Sequence, residues 1–237
     1  METRYLIFIL VSTMIYCKVE SQLFNHMQYV LVWPPTICQV RSCKTGIPHY
    51  QFIIETLRPA RKSGWSSPPT IAIEDLKVDT LMNNKPILRD RLRIIWPNII
   101  EGHTDEWLWK RQWSECGYCT QYALNITEYF EAAKKIDNMM MLKKMDHNNN
   151  LIDYLIKGDI KPSNHTSYEM RDIRFAISKL VGDHIDVYIS CYINMTNHVN
   201  IMKIRLCVDP SVNNFVSCPI LQNNICGSDT KIFLPTF

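Results

Sequence analysis

The stretch Phe52-Ile53-Ile54-Glu55-Thr56-Leu57-Arg58-Pro59 sets one carboxylate, Glu55, among apolar and β-branched neighbours and closes on proline. Its front, Gln51 to Ile54, reads as a short strand. A second stretch, Trp109-Lys110-Arg111-Gln112-Trp113-Ser114-Glu115-Cys116-Gly117-Tyr118-Cys119, starts inside a helix predicted over Glu106 to Trp113. Working outward, Met27 to Trp33 has the β-branched and aromatic content of a strand that Pro34-Pro35 stops. Arg61 to Pro69, with Gly64 and Ser66-Ser67-Pro68-Pro69, reads as loop. Leu88, Leu92 and Ile95 recur at helical spacing before Trp96-Pro97 ends the run. From Asn125, the residues Ile126, Tyr129, Phe130, Ala133, Ile136 and Met140 fall on one face of an amphipathic helix, and Met139-Met140-Met141 fills core space rather than binding a ligand. Thr166-Ser167-Tyr168-Glu169 has the form of a capping box opening a helix through Met170, Ile173, Ile177 and Leu180. Asp186 to Ile193 and Met202 to Val208 read as strands with one cysteine each. Strands at both ends with helices between them make an α+β domain.

The chain has 237 residues and nine cysteines. Arg4 precedes a mostly apolar run from Tyr5 to Tyr16 that is too short to span a bilayer, followed by Lys18, Glu20 and Ser21. Residues 1–21 are therefore expected to be a secretory signal peptide, and 22–237 a single mature, extracellular domain. No later apolar run is long enough to span, so no membrane association is expected after the leader is removed. The formal net charge of +3 permits a polyanionic partner without requiring one. Eight cysteines fall in the mature part, and in a secreted chain an even number points first to disulfides. The C-terminal cysteines lack zinc-finger spacing, so neither metal nor other cofactor is expected. Three sequons, at Asn125, Asn164 and Asn194, are candidate glycosylation sites.

Both opening blocks resemble the catalytic blocks of the ribonuclease T2 family, the first its FTIHGLWP and the second its WKHEWxKHGTC. The likeness covers nearly the whole mature chain and, within the family, extends to plant self-incompatibility ribonucleases. Gln28 to Pro34 followed by Cys38 is similar to QLVLxWPxxxC, and Trp96-Pro97-Asn98 matches the WPN ahead of the second block. Ile204 to Asp209, followed by Asn214 to Pro219, resembles the closing pair of cysteine-bearing strands. The resemblance implies a ribonuclease T2-like fold, an antiparallel sheet with packed helices, in a monomer. It also implies disulfides joining Cys38 to Cys43, Cys191 to Cys226 and Cys207 to Cys218. Cys119 matches the final letter of HGTC, whose usual partner lies between the two blocks, where this chain has no cysteine. A Cys116 to Cys119 bridge and a pair of thiols both remain open.

In the family, one histidine of each block carries the acid-base chemistry, and those positions hold Glu55 and Cys116 here. The assisting lysine and glutamate correspond to Glu115 and Gln112, a further histidine to Arg111, and the base-stacking tryptophan to Arg58. An ionised Glu55 can serve as a base, but a thiol with an ordinary pKa of about 8.5 is a poor acid for a departing alkoxide. Glu115 reverses a charge beside a phosphorane that gains negative charge. Arg58 and Arg111 remain as candidate phosphate contacts. His49 and His103 read as solvated surface residues, and His26, His147, His165, His184 and His198 form no pattern. The implied function is RNA binding with little or no endoribonuclease turnover; DNA is not an expected partner. The alternatives are a protein partner, an active enzyme using Glu55 as base, or a defence or storage glycoprotein.

Overall fold

The computed structural model describes residues 24–61, 75–120, 123–141, 151–219, 226–227 and 231–237. The leader over 1–21, most of the 61–69 loop and His147 lie outside the described residues. The sheet is built on β1 (His26–Val32), flanked antiparallel by β2 (Ile53–Ala60) and β5 (Val199–Val208). β5 also pairs with β4 (Tyr188–Ile193), β6 (Phe215–Val216) and β7 (Lys231–Leu234), and β7 with β3 (Ser163–Glu169). The sheet is antiparallel, as expected, at every strand pairing among the described residues except that of β5 with β7, which is parallel and makes the sheet mixed. β7 follows a long connection from β6, which frees it to enter beside β5 in either direction.

β1 is buried throughout, and the two-residue period divides its side chains between two apolar layers. Met27, Tyr29 and Leu31 join Ile54, Leu57, Ile204 and Leu206 in the main core. Val32 and Ile53 face the other way into a smaller cluster with Ile37, Ile47 and Ile99. Helices cover the first face. In α3 (Pro86–Ile95), Leu88, Leu92 and Ile95 are buried and Pro86 occupies the first turn, where a missing N–H costs nothing. In α5 (Ile126–Met141), the predicted apolar face is buried apart from Ile126, which is half-buried against the core, and Asn125 caps the start by accepting from the N–H groups of Thr127 and Glu128. Met140 is core, and Met141 accepts from Arg91. α7 (Met170–Val181) buries Met170, Ile173, Ile177 and Leu180 as its periodicity predicts. The capping box proposed ahead of it does not form: Ser167, Tyr168 and Glu169 pair with β7, and Glu169 makes no side-chain cap. A sheet ladder there supplies the backbone partners that a cap would otherwise provide.

The remaining α-helices among the described residues are α1 (Pro34–Ile37), α2 (Asp75–Asn84), α4 (Asp105–Gln112) and α6 (Leu151–Lys157). α4 starts at Thr104, whose hydroxyl accepts from Trp107 N–H, and carries Asp105 and Glu106 in its first turn and Lys110 and Arg111 in its last, which suits the helix dipole at both ends. Trp33, Trp96 and Trp109 are fully buried; the Trp33 and Trp109 indoles donate to the carbonyls of Pro235 and Trp96. Disulfides join Cys38 to Cys43, Cys191 to Cys226 and Cys207 to Cys218. Cys119 is also disulfide-bonded whereas Cys116 is a free, buried thiol, so the structure has neither of the two open alternatives, the Cys116 to Cys119 bridge or the pair of thiols.

Candidate active site

The first block forms a strand longer than the four residues expected, because Ile53, Ile54 and Thr56 to Ala60 all find partners on β1. Val30 pairs with Thr56 and the next residue, Leu31, pairs with Ile54, leaving Glu55 as the extra residue of a β-bulge. A bulge breaks strict alternation. As a result Glu55, Thr56 and Arg58 all line one cleft of about 560 Å³ while Leu57 stays in the core.

The second block delivers the opposite wall. α4 runs directly into a π-helical turn, Trp113–Gly117, whose extra residue per turn rotates the side chains that follow. Arg111, Gln112, Glu115 and Cys116 line the cleft, while Trp109 and Trp113 are buried behind them. Gly117 is required at the turn's end, because an added Cβ would lie 3.0 Å from the Tyr129 ring and closer still to Trp113. All six cleft residues singled out in the two blocks are thus brought together, although they come from segments more than fifty residues apart in sequence.

Lys203 of β5 donates to Glu55 Oε1 at 2.7 Å, each side chain about one-third exposed. The sequence reading missed this lysine; the available signal was the alternation of Lys203 and Arg205 with Ile204 and Leu206, which marks a polar face on β5. Arg58 donates through Nε to Gln28 Oε1 at 3.0 Å, and burial holds its guanidinium below the usual arginine range. Arg205 is pushed down to about 10, first by burial and then by the charge of Arg58, which still leaves it protonated at neutral pH. Arg111 pairs with Glu115 at 2.8 Å, one helical turn on.

Cys116 lies beneath Thr56, its Sγ 3.5 Å from the Thr56 hydroxyl. Burial pushes its thiol up to about 11, so it is uncharged at neutral pH. Gln112 is buried, and its Oε1 accepts no hydrogen bond within the protein. No histidine lines the cleft among the described residues. His26 is buried on the far stretch of β1 against Asn25 and Gln28, its pKa lowered by burial and by Arg205. His49 packs edge-on to Phe237, and His198 stacks on Phe233. His103 was expected to be a solvated surface residue; it is exposed but stacks on Trp107. Among the described residues, no group of three or more His, Cys, Asp or Glu side chains is arranged to hold a metal ion.

The ribonuclease T2 family model matches residues 24–218, which contain every element lining this cleft. The chain belongs to the ribonuclease T2 family. It is similar to Ribonuclease 3 of Arabidopsis thaliana, with 31% identity covering 99% of this chain and all of that protein. It is also similar to Intracellular ribonuclease LX of Solanum lycopersicum, with 30% identity over 97% of this chain and 91% of the relative. Among solved structures, RNase NT in complex with 5'-AMP superposes with a TM-score of 0.69 and 27% identity, covering 90% of this chain and 99% of that one. The ribonuclease T2 fold read from the two blocks is therefore the fold of this chain.

Proposed function

We propose that this ribonuclease T2 family member binds single-stranded RNA in the cleft between β2 and α4 and turns it over slowly or not at all. The observation that carries the reading is the composition of the cleft wall: no imidazole among the described lining residues, and a buried neutral thiol in the second block. Cleavage without a metal needs a base to take the 2′-hydroxyl proton and an acid to protonate the departing 5′-oxygen. Each such group typically contributes about two to four orders of magnitude. Glu55 suits only the first role. Cys116 suits neither, since its proton is held too tightly and it brings no positive charge to the phosphate.

Binding is a different matter. Arg41, Arg58, Arg111 and Lys203 line the cleft against two carboxylates, Glu55 and Glu115, so the wall keeps a net positive charge that favours phosphate. The Glu55 and Lys203 pair also favours a second reading, a slow enzyme with Glu55 as base and Lys203 as the cation beside the phosphorane. Passage through the secretory pathway is part of the proposal. It is supported by the disulfides and by exposed Asn125 and Asn164, with Asn194 in a half-buried turn. At Asn125 the cap uses the amide oxygen, leaving the nitrogen for a glycan.

The test is a salt titration of binding to a fluorescent single-stranded RNA oligonucleotide. Affinity should fall steeply with salt. Arg58→Ala and Arg111→Ala should each weaken it about tenfold, equivalent to about 1.4 kcal/mol. Glu115→Lys should strengthen it by exchanging a repulsive carboxylate for a phosphate partner. Salt-independent binding, or indifference to all three substitutions, would move the RNA site away from this cleft.

A further inference from the structure

At the mouth of the cleft, two side chains of α4 and one from the loop that leads into it form a stack. The His103 and Trp107 rings lie 3.7 Å apart at 9° to one another, and the Arg111 guanidinium lies over the Trp107 ring at 5.5 Å from its centroid. His103 precedes Trp107 by four residues across the helix start, and Arg111 follows it by one helical turn, so the two approach the indole from opposite directions along the chain. Trp107 and Arg111 line the cleft and His103 does not, so His103 backs the indole from outside. The stack is rigidly mounted. Asn98 Nδ2 donates to the carbonyls of His103 and Ile100, Asn98 N–H donates to Asp105, and the Thr104 cap accepts from Trp107 N–H. Trp107 is nevertheless 38% exposed, although three other tryptophans of this chain are fully buried.

A large aromatic side chain held upright at the edge of a positively charged cleft, with one face tightly backed and the other loosely covered, is the form of a base-stacking platform. We propose that Trp107 is such a platform for a nucleobase of single-stranded RNA, inserted on its Arg111 side while His103 fixes the opposite face. Arg111 then serves the same nucleotide twice, by its charge at the phosphate and by its planar group beside the base. The exchange of an aromatic side chain for Arg58 on the strand wall is thereby compensated on the helix wall. This inference rests on the RNA-binding reading above, and adds which side chain holds a base.

Stacking and phosphate contact have different salt signatures, and the experiment separates them. Affinity for a fluorescent single-stranded RNA oligonucleotide is measured as a function of salt for the full protein and for Trp107→Ala, Trp107→Phe and Arg111→Ala, with thermal melting to show that each variant is folded. Trp107→Ala should lose about tenfold or more in affinity with an unchanged salt slope, because a base stack releases no counterions. Trp107→Phe should recover most of the loss. Arg111→Ala should lower the slope by about 0.7, the value of one phosphate contact on a single strand. An oligonucleotide of abasic ribose phosphates should bind more weakly to the full protein and be indifferent to Trp107→Ala. Strong, salt-dependent binding that Trp107→Ala leaves intact would overturn this inference while sparing the RNA-binding reading; no RNA binding by the full protein would overturn both.

Discussion

Within each of the two sequence blocks, the side chains that face the core and those that face the cleft have different fates. Phe52, Ile54 and Leu57 of the first block and Trp109, Trp113 and Cys119 of the second are buried in one continuous core. Glu55, Arg58, Arg111, Gln112, Glu115 and Cys116, from the same two segments of chain, line the cleft instead. Packing is exacting about volume and shape, whereas a solvent-lined wall accepts any side chain that fits its hydration. A chain can therefore hold a fold at full strength while the chemistry on its open face changes.

The contrast is sharpened first by attacking the core side. Trp109→Ala removes a fully buried indole and its hydrogen bond to the Trp96 carbonyl, and should cost about 3–5 kcal/mol of folding stability, read as a lower denaturant midpoint. A loss under about 1 kcal/mol would mean that the block's core letters do not carry the fold.

A smaller effect belongs to the cleft side and is read through pH. The Cys116 thiol is raised to about 11 in the folded protein against about 8.5 in an unfolded chain. A raised pKa means the folded state holds this proton more tightly. The stability it contributes is therefore fully present below about pH 8.5 and is lost as pH rises through about 11. Iodoacetamide should accordingly leave Cys116 unmodified at pH 8 until the protein unfolds. Rapid alkylation of the native protein would place the thiol in water and remove one reason for discounting it as an acid.

The extent to which this could be read from sequence follows the same division. Apolar periodicity located α3, α5 and α7, since burial of one face is a property of the local sequence, and β-branched and aromatic content located β1, which is buried on both faces. The Glu55 bulge could not be read that way, because it exists only in the register between β1 and β2. Lys203 lies 148 residues from Glu55, and nothing local to either predicts their pairing. The segment Thr166 to Glu169 had the residues of a cap yet went into a strand, because β7, more than sixty residues later, offered its edge. The stack of His103 on Trp107 depends on the loop that Asn98 folds back, and four-residue spacing across a helix start gave only a weak hint of it. Cleft residues were legible as a group only because two continuous blocks carried them.

The most direct measurement of the central claim is an RNA-degradation assay on purified protein between about pH 5 and 8, in the presence of chelator, beside a Glu55→His/Cys116→His double variant. The account predicts no cleavage above blank for the native protein and measurable cleavage for the double variant, whose imidazoles would occupy the bulge and the π-helical turn. Robust, chelator-insensitive cleavage by the native protein, releasing 2′,3′-cyclic phosphates, would contradict it and establish Glu55 and Lys203 as working catalytic groups.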